Sequence, residues 1–214
     1  MPPISETALM VIDVQVGFED PSWGPRNNRH AESNIACVIA HWRERRMPIV
    51  HVQHCSLLPD SPLRPNHPGN AFKEEARPKP GEWCVQKTVN SAFIGTGLEG
   101  ALKEKGVSRL VIVGLTTDHC VSTTTRMAAN LGFQTILLSD ATATFDRVGP
   151  DGTQYRAEDI HRIHLASLNG EFCDVRTTAA LLAPSSEFGR LETSCLCWWL
   201  ERQARRGGSL WSGC

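Results

Sequence analysis

Residues 109–131, RLVIVGLTTDHCVSTTTRMAANL, constrain the fold more than any other stretch of this chain. Leu110–Val113 is apolar throughout and β-branched at three of four positions, which predicts a strand buried on both faces, as in a parallel sheet. Gly114 then allows a tight turn. After it, Cys120, Thr124, Met127, Ala128 and Leu131 recur at the spacing of one helical face, and Gly132 supplies the stop. A thiol is thereby expected at a helix N-terminus, at the carboxyl edge of a buried strand. Unpaired backbone N–H groups there favour a thiolate and bind anions. A buried free cysteine is the plainer alternative, and what decides is whether a base and a cation share that edge.

The chain has 214 residues, enough for one large domain with a sizeable core, and a formal net charge of −1. Nothing in that balance points to nucleic acid or an anionic membrane as a partner. No apolar run approaches the roughly 20 residues of a membrane helix, and MPPISETALMVIDV lacks the features of a signal peptide. The eight cysteines have no paired spacing before the C-x-C at Cys195 and Cys197, so they read as reduced thiols of a cytoplasmic protein.

Strands are expected at Ala8–Val14, Ile49–His54, Trp83–Thr88, Gln134–Ser139 and Phe172–Val175 besides Leu110–Val113, with helices over 30–46, 155–168 and 177–182. A capping box over Thr96–Glu99 (TGLE) predicts a further helix running to Lys105. Strands alternating with helices at this spacing mean βαβ units and a parallel sheet. Residues 57–81 form a long loop with six prolines, long enough for a functional role. Pro184 marks a boundary. Residues 1–184 are expected to be the domain, and 185–214, with three of the six tryptophans, a poorly ordered appendage.

Ligands in open α/β sheets bind at the carboxyl ends of strands. The polar residues ending these strands are Asp13, His54, Lys87, Cys120 (just after its strand) and Asp140. Asp13, Lys87 and Cys120 make chemical sense together: the carboxylate takes the thiol proton, the ammonium holds the charge, and the sulfur attacks a carbonyl. Backbone N–H groups of Thr116 and Cys120 are placed to hold the oxyanion.

The motifs VIDVQVGF, VQKTVNSAF and VIVGLTTDHCVSTTTRMA, in that order and at these separations, resemble the isochorismatase-like cysteine hydrolases, a family that includes nicotinamidases and N-carbamoylsarcosine amidase. The likeness covers about residues 5–182. It implies a three-layer α/β/α sandwich with a six-stranded parallel sheet, an Asp–Lys–Cys triad at Asp13, Lys87 and Cys120, and a non-proline cis peptide at Leu115–Thr116. It also implies a homo-oligomer.

This chain departs from the family where nicotinamidases bind a divalent metal. Their Asp-x-His reads His54, Cys55, Ser56 here. His54, Cys55 and His67 are a conceivable replacement set, but neither a metal nor another cofactor is expected. Gln15, Phe18, Trp23, His54, Ser91, Phe93 and His119 are the expected substrate-binding residues, with Phe18, Trp23 and Phe93 as an aromatic wall. True isochorismatases typically lack the nucleophilic cysteine. Its presence favours hydrolysis of a C–N bond in a small amide, over the alternatives of vinyl-ether hydrolysis or a binding module on the same fold.

Overall fold

The computed structural model describes residues 6–183. Eight strands occur in chain order: β1 (Thr7–Ile12), β2 (Ile49–His54), β3 (Trp83–Lys87), β4 (Arg109–Leu115), β5 (Gln134–Ala143), β6 (Arg147–Val148), β7 (Gln154–Tyr155) and β8 (Asp174–Arg176). Between them lie helices α1 (Ala31–Glu44), α2 (Leu98–Glu104), α3 (Ser122–Asn130), α4 (Ala157–Leu168) and α5 (Thr178–Leu182). Six strands form one parallel sheet in the order β3-β2-β1-β4-β5-β8, while β6 and β7 pair as a small antiparallel ribbon.

The alternation of side chains along each strand explains the layers. Ala8, Met10 and Ile12 of β1 face one core with Val50, Val52, Leu110 and Ile112, covered by Leu98 and Leu102 of α2, Ala128 of α3 and Leu168 of α4. Leu9 and Val11 face the other, with Val111 and Val113, under Ile35, Val38, Ile39 and Trp42 of α1 and Leu181 of α5. Every residue of β1 is buried, as a strand covered on both faces requires. The order reverses between β1 and β4, whose carboxyl ends therefore flank the switch point where α/β sheets bind ligands. No helix of the described residues is long and apolar enough to cross a membrane.

Several expected elements differ in detail. β5 runs on to Ala143 because its register against β4 jumps from Ile112–Leu137 to Gly114–Thr142, leaving Ser139–Ala141 to bulge out. The capping box does not form. Gly97 adopts φ 67° as the N-cap, so Glu99 pairs instead with Lys103 one turn on, at 2.6 Å. Helix α4 buries Ala157, His161 and Leu168 and leaves Ile163 60% exposed. Gly114 has φ 126°, and a Cβ there would lie 2.0 Å from the Ile12 carbonyl oxygen. Only glycine permits that approach of β4 to β1. The appendage expected over 185–214 lies outside the described residues.

Candidate active site

Asp13 directly follows β1, and its φ of 51° turns the chain out of the strand. Aspartate tolerates this left-handed conformation better than most residues. Lys87 is the last residue of β3, and Cys120 lies in a π-helical turn (Thr117–Val121) between β4 and α3. The peptide bond Leu115–Thr116, at the end of β4, is cis.

These segments bring the three groups together. Lys87 Nζ lies 2.6 Å from Asp13 Oδ2, 3.3 Å from Cys120 Sγ and 3.0 Å from His54 Nδ1. An ammonium carries three donors and no acceptor, so all three are spent here, and His54 Nδ1 must accept. The Asp13 and Lys87 side chains are fully buried. Burial pushes the Asp13 carboxyl upward against the opposing pull of Lys87, which leaves its carboxylate a stronger base than usual. Burial, reinforced by the Asp13 charge, also pushes the Cys120 thiol upward, so the resting sulfur carries its proton. Burial and the neighbouring ammonium hold His54 down to about 4, in keeping with its role as acceptor.

Asp13, His54 and Cys120 are a set of potential metal ligands, with donor atoms within 4.8 Å of one another. Lys87 Nζ bonds to an atom of each. Its charge already fills the centre that a metal ion would need, so these residues do not fit a divalent ion while the lysine is in place. The alternative set of His54, Cys55 and His67 is not among the metal-binding groups formed by the described residues. The Cys55 side chain is buried, and His67 Nδ1 accepts from Gly69 N at 3.0 Å.

The expected substrate-binding residues divide. Gln15 is wholly buried, and its carboxamide is spent on backbone: Nε2 donates to His54 O and Asn70 O, and Oε1 accepts from His54 N. It joins the ends of β1 and β2 to the proline-rich loop instead of facing a ligand. Phe93 stacks on Phe133, which follows the far end of α3, with ring centroids 5.8 Å apart; its ring belongs to the α2–α3 core. Ser91 Oγ accepts from Phe93 N and shapes its own turn. Phe18 and Trp23 do form an aromatic cluster, completed by Phe145 and packed with Leu115 of the cis bond. His119 is half-exposed beside Cys120, and Asp140 caps α5 by accepting from Thr178 N and Oγ1.

Other supports carried no clear signal in the sequence. Asn70 pins the proline-rich loop to β2, donating to His54 O and Leu63 O and accepting from Gln53. Asp118, two residues before the thiol, accepts from Arg147 Nε at 2.7 Å and from Thr144 Oγ1, tying the turn that holds Cys120 to the region after β5. Burial alone would raise Asp118, but these donors hold it down to about 2. Buried His161 places Nδ1 2.8 Å from the Thr117 hydroxyl. That contact braces the same turn from α4.

Burial also lowers His51, His119 and His161, as it does His54. Below their ordinary value of 6.5 the unfolded chain takes up protons that the folded chain refuses. Stability should therefore fall as pH drops from about 6.5 towards 4, with a lower urea midpoint at pH 4.5 than at pH 7. His54→Gln should flatten part of this slope. An equal midpoint at the two pH values would contradict the buried neutral imidazoles.

The chain matches the isochorismatase domain family over residues 7–180. It is 49% identical over 175 residues to the isochorismatase family protein YrdC of Bacillus subtilis, covering 82% of this chain and 94% of that protein. A crystal structure of an isochorismatase-family protein from Chromobacterium violaceum matches with a TM-score of 0.80 and 44% identity, covering 85% of this chain and 97% of the other. A shorter match, 35% identical over 114 residues, is to ureidoacrylate amidohydrolase RutB of Agrobacterium fabrum, covering 51% of this chain and 48% of that protein. With its six-stranded parallel sheet, flanking helices and these relatives, the chain belongs to the isochorismatase family of hydrolases.

Proposed function

We propose that this protein is a cysteine-dependent amidohydrolase that cleaves a C–N bond of a small molecule through a thioester. The observation that carries this reading is Lys87 Nζ bonded at once to Asp13 Oδ2 and Cys120 Sγ. Base, cation and nucleophile are already assembled, and each is buried. The match to an amidohydrolase supports the C–N assignment.

The thiol is a poor acid at rest and Asp13 a strengthened base, so the proton moves from Sγ to Asp13 only as sulfur closes on the substrate carbonyl. Lys87 offsets the negative charge as it passes between the two groups. The carbonyl oxygen becomes an oxyanion held by the N–H groups of Thr116 and Cys120, each such donor contributing about 3–4 kcal/mol where one has been removed elsewhere. Asp13 then passes its proton to the leaving nitrogen, and the C–N bond breaks. For the second half, Asp13 takes a proton from water as its oxygen attacks the thioester. The acid departs, and the proton returns to sulfur.

Product analysis tests the reading. Incubation with a panel of small amides and ureides should release ammonia or amine and carboxylic acid in equal amounts. Release of pyruvate from a vinyl ether, with no amine from any amide, would assign the ether-hydrolase chemistry instead.

A further inference from the structure

Resting on the amidohydrolase reading, we infer that Asn90 is a specificity-determining residue: its carboxamide oxygen takes an N–H of the substrate's leaving nitrogen, so that the site selects amides over esters.

Asn90 follows β3 by three residues and is exposed, yet its Oδ1 lies 3.8 Å from Cys120 Sγ. Among the described residues no other hydrogen bond engages this carboxamide. Its position is built from behind by α3. Thr124, one turn beyond Cys120 and fully buried, donates its hydroxyl to Asn90 O at 3.4 Å and accepts from Ala92 N at 3.1 Å. The helix that follows the nucleophile's turn thus also fixes the backbone on both sides of Ser91.

Most of the charged groups' polar atoms around the sulfur are committed to one another, Asp13 Oδ1 being a buried acceptor without a hydrogen-bond partner. Lys87 donates hydrogen bonds to Asp13, His54 and Cys120, and Arg147 Nε donates to Asp118. Asn90 Oδ1 is thus a neutral acceptor beside the nucleophile, engaged among the described residues by the thiol alone. In the resting protein that acceptor receives the S–H. Once the proton passes to Asp13 and the S–C bond forms, Oδ1 loses its donor, and the atom to replace it is one bonded to the carbon under attack. A leaving nitrogen bearing an N–H satisfies Oδ1 and turns its lone pair towards the protonated Asp13. An ester oxygen has no hydrogen to offer and leaves the acceptor unpaired beside a second set of lone pairs. A site built to bond a donor discriminates strongly against the analogue that lacks it.

The test compares wild type with Asn90→Ala and Asn90→Leu on primary amides and the methyl esters of the same acids, following release of the common carboxylic acid. Both variants alter an exposed side chain and should melt as wild type does. The ratio of amide to ester kcat/KM should fall by about tenfold to a hundredfold, through loss on the amide. Equal loss on both substrates, or no change in the ratio, would overturn the role given to Asn90, as would a wild-type preference for the ester. Acid from neither substrate with wild-type protein would instead sink the amidohydrolase reading beneath it.

Discussion

Replacing Cys120 by alanine is expected to leave a folded protein whose turnover falls by at least about 10⁴-fold, since removal of a nucleophile from a concerted catalytic set costs nearly all the covalent route. The side chain is small and 8% exposed, and it belongs to the core that also holds Ala92, Ile112 and Val121. Its loss removes one sulfur's worth of packing, about 1 kcal/mol, and one of the acceptors of Lys87. The Asp13–Lys87 pair remains, so no buried charge is stranded. Rates of acid release and a melting curve, measured on the same preparation, check the two halves. Activity near wild type in Cys120→Ala would end the covalent mechanism outright.

Asp13→Asn should also remove most of the activity and be far worse for stability. The amide cannot take the thiol proton, and loss of a general base costs about 10²–10⁴-fold in rate. It also leaves Lys87, whose side chain is fully buried, without its anionic partner. Breaking a buried ion pair from one side costs about 3–5 kcal/mol, because the surviving charge cannot reach water. For a domain of this size that is a drop of about 10 °C in Tm. The double variant Asp13→Asn, Lys87→Met removes the stranded charge. It should recover much of the lost stability and none of the activity, separating the catalytic role of the carboxylate from its structural one. Turnover restored together with stability would show that Asp13 serves the fold alone.

The two kinds of feature recovered from the primary structure differ in range. A buried strand reports itself locally, since each residue of Leu110–Val113 must be apolar to lie between two helical layers, whatever its distant partners are. Asp13, Lys87 and Cys120 are legible in the same local way, because each is a reactive type at or just beyond the carboxyl end of a strand. Spacing along the chain says least where a side chain's direction depends on geometry beyond its own element. Phe93 is an aromatic residue near the lysine, but the turn after β3 sends its ring to Phe133. Gln15 follows Asp13 closely, yet its amide closes on Asn70, 55 residues away, because the proline-rich loop folds back over β1 and β2. The bulge in β5 carries Asp140 to the start of α5, an insertion invisible to any hydrophobic pattern.

What the order of residues determined unaided was the layered parallel sheet and the identity of the reactive groups at its rim. Both follow from repeats of 2 and 3.6 residues and from side-chain chemistry, which neighbours along the chain suffice to define. What only the tertiary structure decided was which polar groups are spent on one another and which remain for a substrate. Lys87 has no donor left, Gln15 is a clamp, and the carboxamide of Asn90 stands over the thiol. A hydrogen bond is directional and reaches about 3 Å, so its partner is fixed by where folding leaves remote backbone, never by spacing along the chain.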